Sequence, residues 1–234
     1  MQRMVAGRWR GRVGALATLL LAGACQLPGA DEDILITTFM EAAFDVAPTG
    51  ELRLVGELRS DSIWRWDQPI LLSVEGVRTP GQEEMVRGAL AEFTRLSGVA
   101  LKDAATGEAP NFRVIFDRRE SFFLGNGDLS ACFATFRGRR DGPATIDVTL
   151  SAAKTETPTR CIRHELMHAF GFLGHSHRVR SVLSYAHNET ELTRWDHVLI
   201  ASLYDERFHA GMPRDEVAAH LRPIIAKNLA RFAD

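Results

Sequence analysis

His164 and His168 stand four residues apart, and Glu165 directly follows the first of them. On a helix, side chains four apart lie one turn above each other, so this spacing aims two imidazoles at one point. Apolar Leu166, Met167, Ala169 and Phe170 accompany the pair, and the run closes at Gly171. The segment therefore has to form a helix, predicted over about 158–172, that breaks near a glycine free to take a turn closed to other residues. Two imidazoles converging from one helix are what a tetrahedral zinc ion requires. Glu165 can reach a water on that metal without being a ligand, and zinc lowers the pKa of such a water towards about 7. The bland alternative is a solvated helix face that carries two histidines by chance. The apolar company and the closing glycine weigh against it.

The stretch from His164 to His177 resembles the metzincin clan of zinc peptidases, whose pattern is His-Glu-x-x-His-x-x-Gly-x-x-His. The last histidine of that pattern is the third ligand. Gly174 stands at its place here, and His175 follows one residue later. The resemblance implies His175 as third ligand, with the extra residue absorbed at a glycine, and leaves His177 as the alternative. Metzincins also carry a tight turn under the metal, Ser-x-Met-x-Tyr in several families. Ser181-Val182-Leu183-Ser184-Tyr185 is similar, with Leu183 supplying the apolar floor in place of methionine. By the same resemblance Tyr185 is an oxyanion donor, although an ordinary half-buried tyrosine is the equal alternative. Thr193-Arg194-Trp195-Asp196 with Ile200, Leu203 and Tyr204 matches a helix that follows this turn in several metzincins. Thr193 is its expected cap, and Asp196 is expected to brace it.

Residues 64–213 as a whole also look like a bacterial exported family of unassigned function, through Trp66 to Val74 at the front and Leu203 to Met212 at the tail. These resemblances imply a zinc endopeptidase of the cell envelope acting on peptides or proteins. His164, His168 and His175 would hold zinc, and Glu165 would be the base. A substrate would lie as an added strand along a sheet edge, either Ala131 to Phe136 or Thr145 to Leu150. Two rivals stand beside this reading. One is an inactive zinc-binding envelope lipoprotein that serves as a binding or assembly module. The other is a zinc hydrolase acting on a non-peptide bond.

The N-terminus fits export. Arg3, Arg8, Arg10 and Arg12 precede a short apolar run from Val13 to Ala22, and small residues lead into Cys25. The run is too short to span a bilayer and reads as a signal peptide over 1–24. Leu21-Ala22-Gly23-Ala24-Cys25 resembles a lipoprotein signal, in which Cys25 becomes the lipidated first residue of a periplasmic, membrane-anchored protein. A simple signal peptide beside a spare thiol is the alternative. Two cysteines remain, Cys132 and Cys161. In an oxidising compartment they are expected to pair, and two buried thiols are the alternative. Neither fits a ligand spacing with the histidines.

Of the 28 basic residues four lie in the signal, so the remainder carries 24 against 30 acids. That balance gives no electrostatic reason for a nucleic-acid partner. Residues 25–63 read as a tether with a brief amphipathic helix at Thr37 to Phe44, and 64–234 as the catalytic domain. Strands are expected at Ile70–Val74, 112–116, 131–136 and 145–150, and helices at about 81–96, 158–172, 193–208 and 213–232. The order implies an α+β fold with a mixed, twisted, mostly sequential sheet, an active-site helix and C-terminal helices. Arg118, Arg119, Arg137, Arg139 and Arg140 read as solvated turns, and His187, His197, His209 and His220, which have no ligand spacing, as surface or helix-face residues.

Overall fold

A computed structural model describes residues 30–44, 52–56, 61–124, 128–139, 142–153 and 157–233. The signal segment and Cys25 therefore lie outside the described residues. The elements run in the order α1 (Ala30–Phe44), β1 (Leu52–Gly56), β2 (Ile70–Gly76), α2 (Pro80–Ser97), β3 (Leu101–Asp103), β4 (Phe112–Asp117), β5 (Phe122–Phe123), β6 (Leu129–Ser130), β7 (Cys132–Arg139), β8 (Gly142–Ser151), α3 (Thr157–Ala169), α4 (Arg194–Leu203) and α5 (Arg214–Arg231). The fold is α+β.

Local chemistry sets most of these boundaries. Thr79 and Gln82 form a capping box at the start of α2, Pro80 occupies its first turn, and Gly98 ends it in the left-handed region at φ 74°. Thr193 and Asp196 form a second box at the start of α4. That helix stops at Leu203, earlier than the sequence pattern suggests. α3 likewise ends at Ala169, three residues short of the expected limit, because Gly171 reverses the chain.

The main sheet has the order β1-β7-β8-β4-β2-β3. β2, β3, β4 and β8 are mutually parallel, while β7 runs antiparallel to β8 and parallel to β1. The expectation of a mostly sequential sheet is therefore corrected. Parallel neighbours need crossovers, and α2 with its flanking segments carries the chain from β2 towards β3 and β4. Register places Leu72, Phe112, Ile146 and Phe136 in one row and Val74, Val114, Val148 and Ala134 in the next. These rows form the core face, and α3 lies against it over β7 and β8. The opposite face is mostly polar, apart from Leu71, Ile115 and Phe133, the last of which packs with Phe122 and Leu124. The centre of this face is Asp147, only 4% exposed, which accepts two hydrogen bonds from Arg113 at 2.7 Å and one from Arg137 at 3.0 Å. Arg137 and Arg139 thus belong to a strand rather than to a solvated turn, and Arg140 lies outside the described residues.

Two segments differ from the sequence pattern at the N-terminal end. The helix expected at Thr37 to Phe44 extends back to Ala30, through part of what reads as tether. Leu35, Phe39 and Ala42 of α1 are fully buried, so this helix is part of the core. β1 adds an edge strand beside β7, pairing Leu52 to Gly56 with Ala134 to Gly138. Neither expected substrate edge is an open one along its length. β8 is interior, and β7 is covered from Ala134 onward.

Cys132 and Cys161 are joined, with Cα atoms 5.9 Å apart, which ties β7 to the first half of α3. The bridge closes a loop with a sequence separation of 29. In the chain-entropy account such a bridge stabilises the fold by about 3–4 kcal/mol. Replacing both cysteines by serine is expected to lower unfolding free energy by about that amount in urea denaturation.

Candidate metal centre

α3 is held at both ends. The disulfide pins its first half, and two side chains take carbonyls at its C-terminal end. Trp66 Nε1 donates to Ala169 O at 2.8 Å, and the Tyr204 hydroxyl donates to Phe170 O at 3.0 Å. Carbonyls at a helix end have no partner within the helix, so such bonds decide where the end can be buried. Tyr204 also accepts from Trp66 N at 3.2 Å, and the Arg65 guanidinium sits 4.7 Å above its ring. Burial raises the Tyr204 pKa, which keeps the hydroxyl a donor.

Gly171 then turns the chain at φ 124°. A Cβ there would stand 2.4 Å from Trp64 O and 2.7 Å from Leu203 Cδ2. Both the backbone angle and the close approach of Trp64 thus require glycine. The turn brings Phe172 O back over α3, where His168 Nδ1 donates to it at 2.6 Å. His164 Nδ1 donates to Val182 O at 2.8 Å. A carbonyl oxygen only accepts, so in each neutral ring the proton sits on Nδ1 and the Nε2 lone pair is turned inward.

The inward nitrogens meet. His164 Nε2 lies 3.2 Å from His168 Nε2 and 3.2 Å from His175 Nε2. Ligand nitrogens at about 2.0–2.1 Å from one tetrahedral zinc ion would be about 3.3 Å apart, so the residues present fit the ion. His168 is fully buried, and burial, followed by the neighbouring His164, pushes its pKa down to about 3. His175 is pushed down by burial and then by His168, His164 and His177. Both rings are thereby held neutral, which is the state a metal-binding imidazole must have.

Below the histidines, Ser184 N donates to Ser181 O at 3.0 Å, closing the tight turn expected at 181–185. Leu183 is buried within it at 1% exposure. Asp196 fixes this turn from α4. Its carboxylate accepts from Ser181 Oγ at 2.5 Å, Thr193 N at 2.8 Å and Val182 N at 3.4 Å. Burial raises the Asp196 pKa, and the hydrogen bonds from Ser181, Thr193 and Val182 oppose that rise. The chain of contacts runs from Asp196 through Val182 to His164, so Asp196 braces more than its own helix.

The remaining expected site residues fall into place around this group. Glu165 is fully buried beside His164 on α3. Tyr185 is 42% exposed, with its ring centroid 4.6 Å from His175 and 5.6 Å from His164. His177 does not join the cluster. Its Nδ1 lies 3.2 Å from Ser184 Oγ, and His187 Nδ1 lies 2.9 Å from the same oxygen. His197 pairs with Glu92 at 3.4 Å. Three residues escaped the sequence reading of the site. Arg65 and Trp66 act from before β2, and Glu41 of α1 bonds to Ser176 and Arg178. Glu41 gave no signal, because its partners lie 135 and 137 positions away.

The site is thus a group of three histidines able to hold a metal ion, with their nitrogens within 4.8 Å of one another. Residues 33–223 match the family described as protein of unknown function (DUF2927), and the chain belongs to that family. No curated protein matches the sequence. Among the described residues no helix is long and apolar enough to cross a membrane.

Gly171→Ala is expected to cost about 3 kcal/mol or more in unfolding free energy, measured by denaturant titration. The depressed His168 pKa carries its own signature. A folded-state value of about 3 against 6.5 means that the unfolded chain takes up a proton between those values. Metal-free protein should therefore lose stability as pH falls below about 6.5. Its melting temperature should decline more steeply on acidification than that of His168→Gln.

Proposed function

We propose that this protein is a zinc-dependent peptidase of the cell envelope. The observation that carries the reading is the convergence of three imidazole Nε2 atoms, with the ring protons of His164 and His168 held on Nδ1 by backbone carbonyls. Three neutral imidazoles suit a catalytic zinc ion, which such a set would hold while leaving a coordination position for water or substrate. When bound, zinc supplies Lewis acidity towards a carbonyl and a water nucleophile at neutral pH.

The chain's own residues have distinct tasks in this reading. His164, His168 and His175 hold the ion. Glu165, next to the first ligand and buried, receives the proton of the attacking water and returns it to the leaving amine. Tyr185, lying against the outer faces of two ligand rings, offers its hydroxyl to the developing oxyanion. The resemblance of the His164–His175 stretch and the Ser181–Tyr185 turn to metzincins supports a peptide bond as the target. The disulfide supports export to an oxidising compartment, in agreement with a signal at 1–24, and the proposed lipid on Cys25 rests on the likeness of Leu21 to Cys25 to a lipoprotein signal.

A second reading, an inactive zinc-binding envelope module, has one observation in its favour. β1 occupies the edge of β7 from Ala134 to Gly138, where a substrate strand was expected. Casein cleavage by the zinc-loaded protein separates the two. We expect about one zinc per chain and cleavage that is abolished in Glu165→Gln with zinc retained, whereas His164→Ala loses both. Zinc binding without cleavage of casein or of a peptide library would select the inactive module. A protein that takes up no zinc would refute both readings.

A further inference from the structure

The loop that delivers the third histidine is one residue longer than the pattern it resembles. A longer loop has more conformations to lose when His175 meets the other two rings. It is held from outside the motif. Gly174 N donates to Ala42 O at 2.7 Å. Ser176 Oγ donates to Glu41 Oε2 at 2.8 Å, and Arg178 donates to Glu41 Oε1 from Nε at 2.9 Å and from Nη2 at 2.7 Å. Residues 174, 176 and 178 flank His175, and all three attach to two adjacent residues of α1.

α1 is a firm support for such a clamp. Leu35, Phe39 and Ala42 are fully buried. The Phe39 ring stands edge-on to Phe172 at 5.8 Å, so the helix also touches the start of the loop. Glu41 is the one side chain of this helix whose carboxylate reaches both Ser176 and Arg178. The Arg178 guanidinium, ahead of the other contacts, holds the Glu41 carboxyl below its ordinary range.

We propose that Glu41 is a positioning residue for the metal centre, fixing the 174–178 loop from α1 so that His175 completes the ligand set. The inference rests on the metal reading given above. The Glu41–Arg178 pair is partly exposed, with side chains 29% and 52% accessible, so its share of global stability is small. Its effect falls on the metal instead. Groups behind a ligand typically alter affinity by about 10–100-fold, and Glu41 acts one residue removed, which places it near the lower limit.

The test is zinc affinity of the full chain by competition with a chromophoric chelator, in a double-mutant cycle of Glu41→Ala and His175→Ala. Glu41→Ala is expected to weaken zinc binding about tenfold in the wild-type background and to have no effect where His175 is already absent. The melting temperature of the metal-free Glu41→Ala protein should change by less than about 4 °C. Arg178→Ala should weaken binding in the same direction, and it carries the test if Glu41→Ala does not fold. Unchanged zinc affinity, or equal weakening in both backgrounds, would overturn the positioning role while leaving the metal centre intact. If the wild-type chain binds no zinc, the metal reading fails and this inference fails with it.

Discussion

The last carbonyls of α3 are buried, and everything at the site depends on how they are satisfied. Trp66 and Tyr204 donate to them from opposite ends of the sequence. That bonding lets the helix terminate inside the protein instead of at its surface. Termination there puts Gly171 against Trp64, and the resulting reversal delivers Phe172 O to His168 and the next segment to His175. Without these bonds the helix would have to run on or fray, and the two helical histidines would have no third partner.

The histidines are oriented by backbone, and the backbone is in turn oriented by buried side chains. Val182 O directs His164, and Asp196 holds Val182 through the turn. Phe172 O directs His168, and Gly171 sets Phe172. These two rings are thus fixed by groups whose own positions are already determined, which is what a preorganised metal site requires. Electrostatics agrees with the geometry. Burial disfavours the protonated forms of His168 and His175, which leaves those two rings in the neutral state that metal binding needs.

Much of the site was legible because it is local. Spacing of four residues, a glycine break and a capping threonine are signals carried by neighbouring positions, and His164, His168, Gly171 and Thr193 all stand in the structure as those signals imply. The cysteine pairing was readable from the number of cysteines left after Cys25. What remained hidden is non-local. The first half of α1 looks like a tether from its acidic first turn, yet the helix meets α4 and α5, far away in sequence. β1 is recruited by backbone pairing with β7, for which the sequence of a five-residue strand gives little notice. The sheet order was misread for the same reason, since it is set by crossovers and not by any single strand.

The burial of α1 also sets a length scale. Ala30 lies five positions after Cys25, and an extended chain over that span reaches about 18 Å at most. Glu41, where the ligand loop attaches, lies eleven residues further along the helix, or about 17 Å by helical rise. Under the proposed lipid attachment at Cys25, the loop that carries His175 would stand within roughly 35 Å of the bilayer surface. The protein would then be a short-range reagent, confined to targets in a thin layer beside the membrane, with α1 as the ruler that defines the layer's depth.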